Sequence, residues 1–346
     1  MAVLPCFLCY NIYMSQQQKT KSIFGRIVHF ALTLFLLASA FAIVVFQQQI
    51  RDYATVFNYK PSAEIFEITQ KISLTKEAER IFYATDPQVE GAEKFNENCT
   101  NQLEQTTVLG CYKDDRIYIF DVQNPELEGI KEATAAHELL HAVWARLGEN
   151  ERASLSSELL REYARVKTPE LEQVMENYKI TEPGQHENEL HSILATELVN
   201  LSQTLENHYA RYFTDRTKIL SFYNSYNSRF TELREESDRI LKDTEALKSQ
   251  IDLEVAEYQL EMSNLNANIS QFNTWARNGY YTSQWEFEAD RAKLQSEISA
   301  MNMRRDEINS KVDYFNSLTQ RLNQISIESK QLTDSIDSRL TAPSDI

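Results

Sequence analysis

The chain has 346 residues, with 51 acidic against 35 basic side chains and a formal charge of −16. That length provides for two or three domains with a sizeable core. The acidity argues against nucleic acid as a partner, because neutralising phosphates needs clustered Lys and Arg; it reads instead as a solvated helical surface.

Ile27 to Phe46 is an apolar run interrupted only by His29, Thr33 and Ser39. A helix of that length crosses a hydrocarbon core of about 30 Å. Lys19, Lys21 and Arg26 precede the run, and a lone Arg51 follows it. The positive-inside rule therefore predicts a cytoplasmic tail (1–26), a single-pass anchor in the cell membrane (27–46) and an extracytoplasmic remainder. A signal peptide cleaved at Ala38-Ser39-Ala40 is the alternative. The apolar run continues past that site, which favours an uncleaved anchor. Cys6 and Cys9 form a CxxC in the tail, with no second pair of ligands nearby. Cys99 and Cys111 are the external pair, and an oxidising compartment predicts a disulfide between them.

Residues 51–130 read as mixed α and β. Ile81-Phe82-Tyr83-Ala84 is expected as a short strand. Thr107–Tyr112 and Arg116–Phe120 are expected as a β-hairpin turning at Lys113-Asp114-Asp115. A strand just ahead of the next segment is useful, because an edge strand can hold an extended peptide by backbone pairing.

That next segment carries the chemistry. Thr134-Ala135-Ala136-His137-Glu138-Leu139-Leu140-His141-Ala142-Val143 contains HExxH in a run rich in helix formers, with Gly148 beyond it as a stop. Residues i and i+4 share a helix face, so His137 and His141 can aim two imidazoles at one Zn2+. Glu138 can then act as general base on a zinc-bound water. The alternative is a buried amphipathic helix with incidental histidines. Downstream, Glu151 to Val166 has helical spacing, and Thr168-Pro169 and Thr181-Glu182-Pro183-Gly184 are breaks. After them comes a second polar constellation, His186-Glu187-Asn188-Glu189-Leu190-His191, running on to Glu197.

His137-Glu138-Leu139-Leu140-His141 resembles the zincin superfamily of metallopeptidases over about residues 107–200. Trp144 and Leu147 stand where the metzincin branch would have Gly and His, so the resemblance is to the gluzincin branch. That branch takes its third ligand from a Glu on a later helix. Asn188-Glu189, opening an apolar helix after His141, is similar to that arrangement, and implies Glu189 as the third metal ligand. Ile193 departs from the branch, which often has a small or acidic residue four positions after its Glu. Glu197 and Glu187 remain alternatives. His191 could stabilise the oxyanion of the transition state or supply a third imidazole. His208 and Tyr212 could serve the former role, though a packing role is the simpler reading for both.

The last third differs in character. Proline is absent between Pro183 and Pro343, and Gly279 is the only glycine after Gly184, which argues for long helices. Phe230, Leu233, Ser237, Ile240, Thr244, Leu247 and Ile251 form a heptad seam, resumed after a stutter by Val255, Tyr258, Met262, Leu265, Ile269 and Phe272. A second seam runs from Leu294 through Ile298, Met301, Arg305, Ile308, Val312, Phe315 and Thr319 to Leu322. The runs flank Asn278-Gly279-Tyr280-Tyr281, the natural turn of an antiparallel hairpin; a parallel dimer is the alternative.

The sequence thus reads as mainly α: a transmembrane helix, a small α+β zincin-like catalytic domain (51–225) and a C-terminal antiparallel coiled-coil hairpin (226–340). The expected activity is that of a membrane-anchored zinc metallopeptidase acting on a peptide or protein substrate, with a protein partner or self-association through the coil. The rival reading is a non-enzymatic envelope scaffold working through that coil. An intramembrane protease is disfavoured, because the HELLH segment is distant from the apolar span and too polar to enter lipid.

Overall fold

The computed structural model describes residues 7–99 and 108–340, with side chains from residue 25 onward. Cys6 and Thr107 lie outside the described residues, as does the side chain of Cys9. The fold is mainly helical with one small sheet. The described residues divide into two compact units: 7–99, 110–120 and 132–220 form the first, and 108–109, 121–131 and 221–340 the second.

In the first unit, α1 (Phe7–Val45) includes Gly25–Val45, a stretch of 21 residues long and apolar enough to cross a membrane, with none of it buried. Helix α2 (Gln47–Asn58) follows at once. Backbone bonds Phe46 N→Ala42 O and Ile50 N→Phe46 O, both 2.9 Å, bridge the junction. Phe46 itself departs from helical geometry, with φ −103 and ψ 15.

Helices α3 (Ala63–Lys71) and α4 (Lys76–Ala84) begin at Ser62 and Thr75, whose hydroxyls accept from Ile65 N and Ala78 N. These N-caps satisfy a free amide each. Ile81–Ala84, expected as a strand, is therefore the last turn of α4. A four-residue apolar run carries no period of its own. The Thr75 cap starts a helix that buries Ala78, Ile81, Phe82 and Ala84 together.

Strand β1 (Gln88–Glu90), α5 (Ala92–Cys99), β2 (Gly110–Lys113) and β3 (Arg116–Phe120) come next. The sheet order is β1-β3-β2, with β1 parallel and β2 antiparallel to β3. The expected hairpin forms and turns through Asp114 and Asp115, at φ 52 and 61. Both residues are in the left-handed region that a two-residue hairpin turn requires. The Cys99–Cys111 disulfide forms and ties α5 to β2.

Five helices complete the unit: α6 (Ile130–Arg146, which begins at the boundary with the second unit), α7 (Glu149–Val166), α8 (Pro169–Thr181), α9 (His186–Glu197) and α10 (Gln203–Tyr209). Helix α6 buries Ala135, Ala136, Leu139, Leu140 and Ala142 completely. Helix α9 is buried from Glu189 through Thr196. Each enclosed leucine contributes roughly 2 kcal/mol. Two carbonyls at the C-terminal end of α9, of Ala195 and Leu198, accept from Arg216 Nη1 at 2.9 and 2.7 Å, so the helix end is satisfied inside the protein.

One polar network is buried. Arg146, at the end of α6, grips Asp52 of α2 with both arms, Nε to Oδ2 at 3.0 Å and Nη2 to Oδ1 at 2.8 Å. Its Nη1 also donates to Tyr112 Oη at 3.1 Å and to Ala142 O at 2.9 Å. Gln48 Nε2 donates to the same Asp52 at 3.0 Å.

The second unit contains the long helices α11 (Arg216–Arg277, whose first turn starts in the first unit) and α12 (Gln284–Ile336). They reverse at Gly279, φ 66, a left-handed position that only glycine takes without cost. Arg321 pairs with Glu236, Lys311 with Glu254, and Arg304 with Glu257 and Glu261. The sequence separations fall from 85 to 57, 47 and 43 as the turn approaches, so the two helices run antiparallel within one chain. Leu233, Ile240, Thr244 and Leu265 are buried on α11, and Met301, Ile308, Ile325 and Leu332 on α12. All but Ile325 and Leu332 belong to the seams read from sequence; those two lie beyond the second seam, seven residues apart and one residue short of its alternating steps.

Replacing Arg146 by Met leaves Asp52 buried and unpaired, and is expected to cost about 3–5 kcal/mol. The double variant Asp52→Leu/Arg146→Met is expected to recover most of that loss. Chemical denaturation of the full chain in detergent, read by circular dichroism, measures both.

Candidate metal centre

His137 and His141 lie one turn apart on α6, with ring centroids 4.8 Å apart and planes at 75°. His137, Glu138 and His141 each bring one ligand atom to a common place, all within 4.8 Å of one another. Glu189 enters from α9. Its Oε2 is 3.7 Å from His137 Nε2 and its Oε1 is 3.4 Å from His141 Nε2.

A direct N–H···O bond lies at about 2.7–3.2 Å. Two ligands sharing a tetrahedral zinc at about 2.0–2.2 Å sit roughly 3.3–3.6 Å from each other. Both contacts are longer than an ordinary hydrogen bond and close to the separation of two ligands on a shared ion. Two imidazoles and a carboxylate are also the right donors for zinc.

Glu189 is only 3% exposed. Burial opposes its charged form, but the His141 and His137 rings and a hydrogen bond from Glu182 outweigh it and hold the carboxyl below the usual range. A hydrogen bond between two carboxyl groups requires one of them to carry a proton.

The second ring nitrogen of His141 is also held. Nδ1 lies 3.0 Å from Asn188 Oδ1 and 3.3 Å from Ser192 Oγ. The Asn188 amide nitrogen donates to Gln185 Oε1 at 3.1 Å, which turns the amide oxygen toward the ring. A proton on Nδ1 would suit the Asn188 oxygen and leave the Nε2 lone pair on the Glu189 side.

Strand β2 starts against Glu138. A Cβ on Gly110 would fall 2.5 Å from Thr134 Cγ2, 2.8 Å from Glu138 Cγ and 2.9 Å from Glu138 Oε1. Only glycine lets the sheet's edge strand pass this close to the general-base candidate.

The other residues singled out in the sequence have these surroundings. Glu187 faces His186 at 3.8 Å. Glu197 ends α9, half-buried. His191 is fully buried, with Nε2 2.9 Å from His208 Nε2, its ring against Trp144 and Tyr209, and its Nδ1 beside the Leu140 backbone. Burial and the neighbouring His208 push its pKa well down. His208 is lowered to about 4 by burial and by Arg211, and its ring packs on Tyr212. Both histidines are therefore neutral at ordinary pH and form an aromatic cluster beside α6.

Two residues escaped the sequence reading. Tyr178, on α8, has its phenol pushed well up by burial and by Glu189, Glu197 and Glu138, so it stays a protonated donor near those carboxylates. Glu182, in the loop after α8, bonds to Glu189. Their signal was the turn Thr181-Glu182-Pro183-Gly184, which delivers the end of one helix to the start of the next.

No family model matches the chain, and no curated protein or solved structure does either.

Asn188→Ala is expected to weaken zinc affinity about 10- to 100-fold, since it frees the His141 ring; isothermal titration of the metal-stripped chain reads this. Gly110→Ala is expected to leave metal content unchanged while displacing Glu138. Metal analysis beside a crystal structure of the variant checks that outcome.

Proposed function

We propose that this chain is a membrane-anchored, extracytoplasmic zinc metallopeptidase of gluzincin-like type, hydrolysing peptide bonds in a polypeptide substrate. The observation that carries this reading is the Glu189 carboxylate spanning the His137 and His141 Nε2 atoms at 3.7 and 3.4 Å. His137, His141 and Glu189 would hold the ion. When bound, zinc supplies Lewis acidity for a water molecule and for the substrate carbonyl.

The chain's own residues perform the proton transfers. Glu138 takes a proton from the attacking water as its oxygen bonds to the carbonyl carbon. Glu138 then returns that proton to the amide nitrogen as the C–N bond breaks, so the products are a carboxylic acid and an amine. Asn188 and Ser192 keep the His141 ring oriented. The protonated Tyr178 phenol is available to the oxyanion that develops on the carbonyl oxygen. The free edge of β2, beside Glu138, suits an extended substrate paired through its backbone.

The anchor assignment is supported by the apolar stretch Gly25–Val45. Placement of the remainder outside the cytoplasm is supported by the Cys99–Cys111 disulfide and by the Lys and Arg residues ahead of the span. The antiparallel pair α11–α12 is proposed to be a coiled coil acting as a spacer or partner arm.

Glu138→Gln is expected to retain one zinc per chain and to lose about 10²- to 10⁴-fold in turnover of an unstructured polypeptide. Glu189→Ala is expected to lose the metal itself. Plasma emission spectroscopy and a fluorogenic casein assay give the two readouts. A wild-type chain that binds no zinc, or a Glu138→Gln variant as active as wild type, rejects the peptidase and leaves the scaffold reading.

A further inference from the structure

Three observations connect the membrane span to the metal centre. First, α1 passes into α2 through the 2.9 Å backbone bonds at Phe46, so no flexible linker separates them. Second, α2 is locked to the metal-site helix. The Asp52–Arg146 pair has side chains only 5% and 10% exposed, and Arg146 also reaches Ala142 O, beside His141. The α2 segment is further held to the hairpin turn, because Arg51 pairs with Asp115 at 3.4 Å while Asp115 accepts from Tyr112 Oη at 2.7 Å. Third, the opposite face of α2 is apolar and largely exposed. Ile50, Tyr53 and Phe57 recur at helical spacing and are all exposed, Phe57 at 89%, while Arg80 of α4 lies over one side of the Tyr53 ring.

That open face has one occupant supported by its context. It continues directly from the apolar span, and the non-helical backbone at Phe46 allows α2 to bend away from the span's axis. An amphipathic helix in that place lies at the boundary of headgroups and acyl chains.

The distances are short. From Val45 to Asp52 is about 10 Å of helix rise, one helix-to-helix crossing adds about 10 Å, and Arg146 to His141 adds about 8 Å. His141 is therefore at most roughly 30 Å from the end of the span, a reach of about nine extended residues.

We propose that α2, held by the Asp52–Arg146 pair, fixes the metal centre beside the bilayer, and that the substrates are juxtamembrane segments of other membrane-anchored polypeptides. This rests on the peptidase reading and names its substrate class. A soluble chain must find the site by diffusion, whereas a co-anchored chain is presented at high effective concentration.

The test uses the full zinc-loaded chain in phospholipid nanodiscs. One substrate is a hydrophobic helix followed by an unstructured tagged polypeptide in the same disc; the other is that polypeptide without its helix. The anchored form is expected to be cut at least about tenfold faster, with mass spectrometry locating the cuts within about ten residues of the bilayer. Equal rates, with cuts spread along the chain, overturn the proposal while the peptidase stands. Failure to cut either substrate overturns the peptidase, and the substrate class with it. Independently, Phe57→Trp in a Trp275→Phe/Trp285→Phe background is expected to be quenched by brominated phospholipid, whereas Trp144 alone is not. An unquenched Phe57→Trp overturns the placement of α2.

Discussion

A carboxylate taken out of water needs a positive partner or a proton. Glu189 is nearly sealed from solvent, and its neighbours are two imidazoles and another carboxyl group. The His141 and His137 rings offset that burial and hold the carboxyl below its usual range. A divalent ion held by these groups, as proposed, would meet the same requirement. The surrounding structure serves this point: α9 is enclosed over most of its length, Arg216 satisfies its far end, and Asn188 orients the ring that Glu189 faces. In the proposed site the donors would already be placed when an ion arrives.

The long helices obey a different balance. Their ion pairs are partly exposed, such as Arg304 with Glu257, and pairs of that kind contribute little to stability. They set direction and register, since each allows one antiparallel alignment. The buried Leu233, Ile240, Leu265, Met301 and Ile308 supply the cohesion. Division of labour between apolar seam and charged flank is what lets helices this acidic remain soluble and paired.

Much of this was legible in the sequence because it depends on local spacing. The i, i+4 histidines, the Asp-Asp turn, the reversal at Gly279 and the two seams are periodic or conformational signals that a short window carries. Glu189 was reachable by resemblance, through its place at the head of an apolar helix. What stayed hidden depends on contacts distant in sequence. Ile81–Ala84 looked like a strand because its cap, Thr75, lies six residues upstream. Nothing near Asp52 marks it as the partner of Arg146, 94 residues away. Gly110 matters only because α6 crosses β2 there, and Tyr178 only because a turn returns α8 to the site.

Those distant contacts converge on α6. At its first turn Glu132, almost buried, accepts from Lys71 of α3 at 2.8 Å; at its last turn Arg146 holds Asp52. An acid at the start and a base at the end both suit the helix dipole, yet each is also tied to a segment nearer the N-terminus. A helix pinned at both ends cannot rotate, and rotation by even a fraction of a turn would carry His137 and His141 away from Glu189. The two ion pairs therefore do for the whole helix what Asn188 does for one ring: they remove freedom that the proposed metal donors would otherwise have to lose on binding. Because α2 follows directly on the apolar stretch Gly25–Val45, the same ties also link these side chains to that helix.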